Sequence, residues 1–160
     1  MTTIISASTR PTDSTHNVSF LIQKILEDMK IPNQIVTPAD FNLPFDGAKD
    51  PKWTEIVNST DRFIVVTPEY NHSFPGKLKT LIDAEYDAYN GKKIIVCGVS
   101  SGDFGGARVI ISLLPILHKI GFDIFATDIF TPNVKEMLGD ESKKVEWVAR
   151  TTEILTKFHG

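Results

Sequence analysis

Three short stretches concentrate the side chains that could do chemistry, and each directly follows an apolar run. Residues 67–76 read TPEYNHSFPG, so a carboxylate, a phenol, an amide and an imidazole sit between two prolines, Pro68 and Pro75. A turn built only to connect a strand to a helix has no use for so many costly groups. Residues 6–17, SASTRPTDSTHN, place Ser8, Thr9, Arg10, Thr12, Ser14, Thr15, His16 and Asn17 just before a helical pattern. Hydroxyls, helix N-terminal N–H groups and a guanidinium suit a phosphate dianion. The same residues also suit an ordinary helix N-cap with a solvated arginine. Residues 100–108, SSGDFGGAR, string Gly102, Gly105 and Gly106 around Ser100, Ser101 and Phe104. Glycines there would let a flat ligand approach the main chain, or would serve tight helix–strand packing, which explains one glycine better than three.

Other chemistry finds little support. His16, His72, His118 and His159 have no metal-ligand spacing, and the single cysteine, Cys97, offers them no second thiolate, so no metal site is expected. Cys97 lies inside IIVCGV and reads as a small buried hydrophobe. Neither G-x-x-x-x-G-K-[ST] nor G-x-G-x-x-G occurs, which disfavours a nucleotide triphosphatase and a dinucleotide fingerprint. Asp83 and Asp87 fall at i, i+4 on one helical pattern, where a solvated face explains them as well as catalysis does.

The elements that must position these stretches are β-rich runs alternating with helical stripes. The runs are residues 2–7, 33–37, 62–67, 93–99 and 122–130. Helical spacing appears from Val18 to Met29, after Asp50-Pro51 as N-cap and first helical residue, at Leu78 to Ile82, from Val109 to Ile120, and from Val145 to Phe158. Strands and helices in alternation make a parallel sheet covered on both faces. The expectation is one α/β domain over residues 1–160, a three-layer doubly wound fold with a five-stranded parallel sheet. That many units favours the flavodoxin-like strand order 2-1-3-4-5, in which the loops after strands 1, 3 and 4 meet where the order reverses. Those are the three unusual loops, while the Pro/Gly/Asp-rich loop after strand 2 reads as a surface connection.

Composition sets the remaining limits. A net charge of −3 with 41% apolar and 23% charged residues gives no footprint for nucleic acid or an anionic membrane surface. No apolar run reaches a bilayer's thickness, and the start MTTIISAS lacks the regions of a signal peptide, so a cytoplasmic protein is expected.

With the loops in place, the chain resembles the NADPH-dependent FMN reductase family, flavodoxin-like quinone, azo-dye and chromate reductases. Pro68-Glu69-Tyr70-Asn71, Ser73, Pro75-Gly76, Leu78-Lys79 and Ile82-Asp83 resemble the family's PEYN-x-S-x-PG-x-LK-x-x-x-D signature. Ser8 and Arg10 match its G-S-x-R-x-x-S-x-N loop, although Ala7 replaces the glycine and Asp13 stands where the next serine is expected. Gly102, Gly105, Gly106, Ala107 and Arg108 match its S-G-x-x-GGAR stretch.

The resemblance implies FMN as cofactor, NADPH or NADH as electron donor and a small-molecule electron acceptor. It assigns the phosphate to Ser8, Arg10, Ser14, Thr15, His16 and Asn17. It makes Pro68, Glu69, Tyr70 and Asn71 a shelf whose main-chain N–H groups face the flavin ring, with Ser100, Ser101, Gly102 and Gly105 on its other side. Tyr70 and Phe104 would flank the acceptor, and no catalytic side chain is required, since the flavin carries the chemistry. Donor and acceptor would take turns at one face in a ping-pong cycle. The alternative reading is a non-enzymatic FMN module, a one-electron carrier or a flavin sensor. Tyr86, Tyr89 and the apolar surplus of Ile110, Ile111, Leu113, Leu114, Ile116 and Leu117 suggest a homodimer or homotetramer.

Overall fold

The computed structural model describes residues 1–10, 13–43 and 46–160. Strands β1 (Thr2–Ser6), β2 (Asn33–Val36), β3 (Arg62–Pro68) and β4 (Lys93–Val99) form where the β-branched runs lie. All pairings are parallel, and the sheet order is β2-β1-β3-β4 with the last position beyond β4. This is the flavodoxin-like arrangement. The last position is filled by two short segments, β5 (Asp123–Ile124) and β6 (Ile129–Thr131), rather than by the continuous strand expected over residues 122–130. Asp123 pairs with Lys93 but Ile129 with Cys97, so the edge gains two residues relative to β4 across the break. The Asp128 carboxylate stays in the break, half-buried and held above its usual range by desolvation.

Helices cover both faces. Ile5, Phe63, Val65, Ile94 and Val96 point to one face, where they pack with Trp53, Leu81, Tyr89 and Leu113. Their neighbours Ile4, Ile64, Val66, Ile95 and Cys97 point to the other, against Val18, Ile22, Trp147 and Phe158. This alternation buries β1, β3 and β4 on both faces. The helices on the first face are α2 (Pro51–Ser59), α3 (Gly76–Asp83) and α4 (Ala107–Lys119). On the second lie α1 (Ser14–Asp28), α5 (Val134–Gly139) and α6 (Glu141–His159). Asp50 caps α2 through a 2.9 Å bond from the Trp53 N–H, with Pro51 at the first helical position. Cys97 is fully buried against Thr131, and burial pushes its thiol up to about 12, so it is no nucleophile. Lys79 accounts for Asp83 through an i,i+4 ion pair. No helix of the described residues is long and apolar enough to cross a membrane.

The loop after β2 is more than a surface connection. Phe41 stacks edge-on against Trp53 at 5.3 Å, and Lys49 reaches Glu85, which is 2% exposed. Burial alone would raise the Glu85 carboxyl. Hydrogen bonds from Thr54, Lys49 and the N–H groups of Tyr86 and Ala88 outweigh it and hold the group at about 2. One carboxylate thus ties this loop, α2 and the segment after α3.

Because Glu85 titrates lower in the folded chain than its ordinary 4.5, its stabilisation is complete above that pH and is lost as pH falls towards 2. Replacing it by glutamine is expected to cost about 2–3 kcal/mol at neutral pH. The gap from wild type should narrow as urea unfolding is repeated towards pH 3. A constant gap across that range would assign the cost to shape rather than charge.

Candidate functional site

The loops after β1, β3 and β4 converge at the carboxyl ends of these neighbouring strands. Ala7 N–H donates to Val66 O at 2.8 Å, and Glu69 N–H donates to Val99 O at 3.0 Å, so pairing continues past the strands into the loops. The Arg10 guanidinium lies 5.5 Å from the centre of the Tyr70 ring, joining the first loop to the second. Arg108 stands 3.7 Å from Glu69 and 4.9 Å from the centre of Phe104, joining the second to the third.

The turn after β3 is a two-residue hairpin. Tyr70 and Ser73 exchange both main-chain hydrogen bonds, at 2.8 and 2.9 Å, with Asn71 at φ 50° and His72 at φ 64° between them. Asparagine and histidine tolerate this left-handed backbone better than most residues, which explains their place in the sequence. The expected shelf of main-chain donors is therefore narrower than the sequence suggests. The N–H groups of Glu69 and Tyr70 are spent internally, and among the described residues those of Asn71 and His72 make no bond. Glu69 Oε2 and the Tyr70 hydroxyl are buried with no partner among the described residues. Buried polar atoms are rarely left so without a ligand or water to take them.

The first loop is arranged around Asp13, the residue at the serine position of the family pattern. Its Oδ1 accepts from the N–H groups of Thr15, at 2.8 Å, and His16, at 3.3 Å, which caps α1. Its Oδ2 accepts from the hydroxyl of Ser8, itself 1% exposed, and Ser8 Oγ accepts from Arg10 N–H at 3.1 Å. His16 Nδ1 bonds Ser6 Oγ at 2.7 Å. Ser14 opens the helix, while Asn17 and Arg10 are exposed; Thr12 lies outside the described residues. Ser8, Thr9 and His16 also line an open groove of about 330 Å³ that continues to Phe20, Thr37 and Ala39.

The third loop is folded onto the strand beside it. Ser100 N–H donates to Thr131 O, Ser100 Oγ donates to Gly102 O at 2.9 Å, and Asn133 N–H also donates to Gly102 O. Gly105 and Gly106 are buried, whereas Ser101, Gly102 and Phe104 are exposed. A side chain at Gly106, φ 82°, would meet the Gly98 main chain at 2.7 Å, and one at Gly105 would meet Phe130 at 2.9 Å. Two of the three glycines thus serve the close approach of this loop to its own sheet, and Gly102 faces open space.

The model of one family, described as NADPH-dependent FMN reductase, matches residues 2–133. The chain belongs to that family. It is 34% identical over 98 residues to an NAD(P)H-dependent FMN reductase of Saccharomyces cerevisiae, a match covering 61% of this chain and 48% of that protein. It is 39% identical over 67 residues to an Escherichia coli quinone reductase, covering 39% and 36%. The chain thus matches about half or less of the length of these relatives. Among solved structures, a flavoenzyme NAD(P)H:(acceptor) oxidoreductase of Paracoccus denitrificans superposes with a TM-score of 0.77 over 98% of this chain and 95% of that one. At 18% identity that likeness speaks for the fold.

The residues present fit the family's flavin. At the ring end, two N–H groups and two buried oxygens have no polar partner among the described residues. At the phosphate end the donors exist but already hold Asp13.

The glycine contacts yield a paired test. Gly106→Ala, forced into a left-handed conformation against the Gly98 backbone, should lose about 2 kcal/mol or more in denaturant unfolding. Gly102→Ala, meeting nothing, should stay within about 0.5 kcal/mol of wild type.

Proposed function

We propose that the protein is an FMN-dependent NAD(P)H oxidoreductase that passes two electrons to a quinone-like, azo or similar acceptor, or to free flavin. The observation that carries this reading is the meeting of three polar loops where the strand order reverses, with Glu69 Oε2 and the Tyr70 hydroxyl buried there without a partner among the described residues. Family membership supplies the chemistry: FMN, when bound, accepts and returns the hydride.

The chain's own groups then have distinct tasks. Main-chain N–H groups of Asn71 and His72 would hold the polar edge of the ring, on a turn kept rigid by Pro68 and the Tyr70–Ser73 bond pair. Ser8, Thr15 and His16 would hold the phosphate, with Arg10 near enough to add charge. Tyr70 and the exposed Phe104 would flank the acceptor, each under a guanidinium. Donor and acceptor need the same open face, so they alternate, which gives ping-pong kinetics. The chain is read as a cytoplasmic protein acting on small molecules.

Purified protein reconstituted with flavin is expected to release FMN on heating and to bleach on anaerobic addition of NADPH or NADH. Initial rates against donor at several quinone concentrations should give parallel lines. Released FAD would overturn the cofactor assignment, and intersecting lines would overturn the alternation. Tight FMN binding without bleaching would favour the carrier or sensor reading.

A homodimer or homotetramer is proposed from large apolar residues that stay exposed: Ile111 at 66%, Phe104 at 66% and Tyr86 at 49%. Part of the apolar surplus of α4 has another explanation, since Ile110, Leu113 and Leu117 belong to the core. Light scattering at micromolar concentration should give at least twice the mass of one chain, 17.8 kDa. A monomer that keeps full activity would rule the assembly out.

A further inference from the structure

The anion seat of the first loop has an internal occupant. Asp13 Oδ1 accepts from the N–H groups of Thr15 and His16, and Oδ2 from the Ser8 hydroxyl. These are the groups that a phosphate at the start of α1 would use, because helix N-terminal N–H groups and a neighbouring hydroxyl converge on one anion. α1 is 15 residues long, so its dipole favours a negative charge at this point. Asp13 is the residue that uses it. Among the described residues the Asp13 carboxylate makes no ion pair, and Arg10, the one guanidinium of residues 6–17, lies over the Tyr70 ring.

We propose that Asp13 is an internal competitor for this seat and sets the specificity of the chain towards the phosphate end of its flavin. The inference rests on the FMN reading for its ligand. Two anions cannot share one set of donors. A phosphate therefore enters only when the carboxylate swings out, and the displaced charge then remains beside a dianion. A groove bordered by Ser8 and His16 adjoins the seat. The phosphate then adds little net affinity, and the chain accepts riboflavin nearly as well as FMN.

Serine and asparagine both cap helices well, so Asp13→Ser and Asp13→Asn retain α1 while removing the charge. Binding of FMN and of riboflavin to flavin-free protein is followed by quenching of flavin fluorescence. Stabilisation by inorganic phosphate is followed by thermal unfolding. Wild type is expected to prefer FMN over riboflavin by less than about tenfold, and Asp13→Ser to raise FMN affinity about tenfold or more. Riboflavin affinity should change less than about threefold, with Asp13→Asn between wild type and Asp13→Ser. Inorganic phosphate should raise the unfolding temperature of Asp13→Ser more than that of wild type.

An unchanged or weakened FMN affinity in Asp13→Ser would overturn the proposal, as would a phosphate response no larger than wild type's. A wild-type preference for FMN of about a thousandfold would overturn it too. If phosphate stabilises Asp13→Ser more than wild type while neither flavin binds either protein, the competition for the seat stands and the flavin reading falls.

Discussion

The constraint on which everything else depends is the in-register parallel pairing of β1, β3 and β4. Thr2, Arg62 and Lys93 stand side by side, and pairing runs on to Ser6 with Val66 and to Pro68 with Val99. Helices bury both faces of these strands, so polar chemistry has no place along them. It is forced to the ends, and in a parallel sheet the carboxyl ends all lie at one edge. Three loops rich in hydroxyls, amides and charges therefore meet by necessity of topology. Hydrogen bonds such as Glu69 N–H to Val99 O then fix how far each loop extends beyond the sheet.

That concentration of polar groups has a cost, because a main-chain donor near a buried edge must find an acceptor. Most donors here find one within the chain. Asp13 takes the helix N-terminus, Ser73 takes Tyr70, and Thr131 at the end of β6 takes Ser100. Where self-satisfaction stops is informative. Among the described residues, Glu69 Oε2 and the Tyr70 hydroxyl lack partners, and so do the N–H groups of the two left-handed residues that follow, Asn71 and His72. The turn is thus the part of the surface best prepared for an external polar partner, and the first loop the part best defended against one.

Sequence and structure agree wherever a single physical signal governs. The β-branched runs of β1 to β4 are long and bounded by polar residues, so their strands appear as read, and the number of units was enough to propose the sheet order. The edge strand differs from expectation because residues 122–130 look continuous in apolar content, while Ala126-Thr127-Asp128 breaks the pairing, which composition does not reveal. Helix α5, six residues long, carries no sustained period to detect. In the site, residue types were legible and hydrogen-bond bookkeeping was not. Which N–H groups of residues 68–73 remain free depends on partners across the turn. Whether Gly105 faces a ligand or the sheet depends on Phe130 and Thr131, some 25 residues further along the chain, and the same question for Gly106 depends on the main chain of Gly98 and Val99. Nothing in the local sequence marks Glu85 as buried; its burial follows from Lys49 and Thr54, which reach it from elsewhere in the chain.

The contacts within the site divide by strength, and the division bears on what it can accept. Its floor is main chain: ladder bonds, a hairpin turn and backbone-to-backbone contact at Gly98 and Gly106, none of which moves without breaking the sheet. Its walls are long side chains in weak contacts. The Arg108–Glu69 pair, 3.7 Å apart with the arginine 45% exposed, contributes at most about 1 kcal/mol. The stacking of Arg10 on Tyr70 and of Arg108 on Phe104 is of the same order, about 0.5–1 kcal/mol each at exposed positions. Such contacts exchange within thermal energy for similar contacts to a ligand. A rigid floor fixes a planar group closely, while walls that release at little cost admit second ligands of different outline. Selectivity in this fold is therefore expected to be sharp for whatever lies on the main chain and broad for whatever approaches between Tyr70 and Phe104.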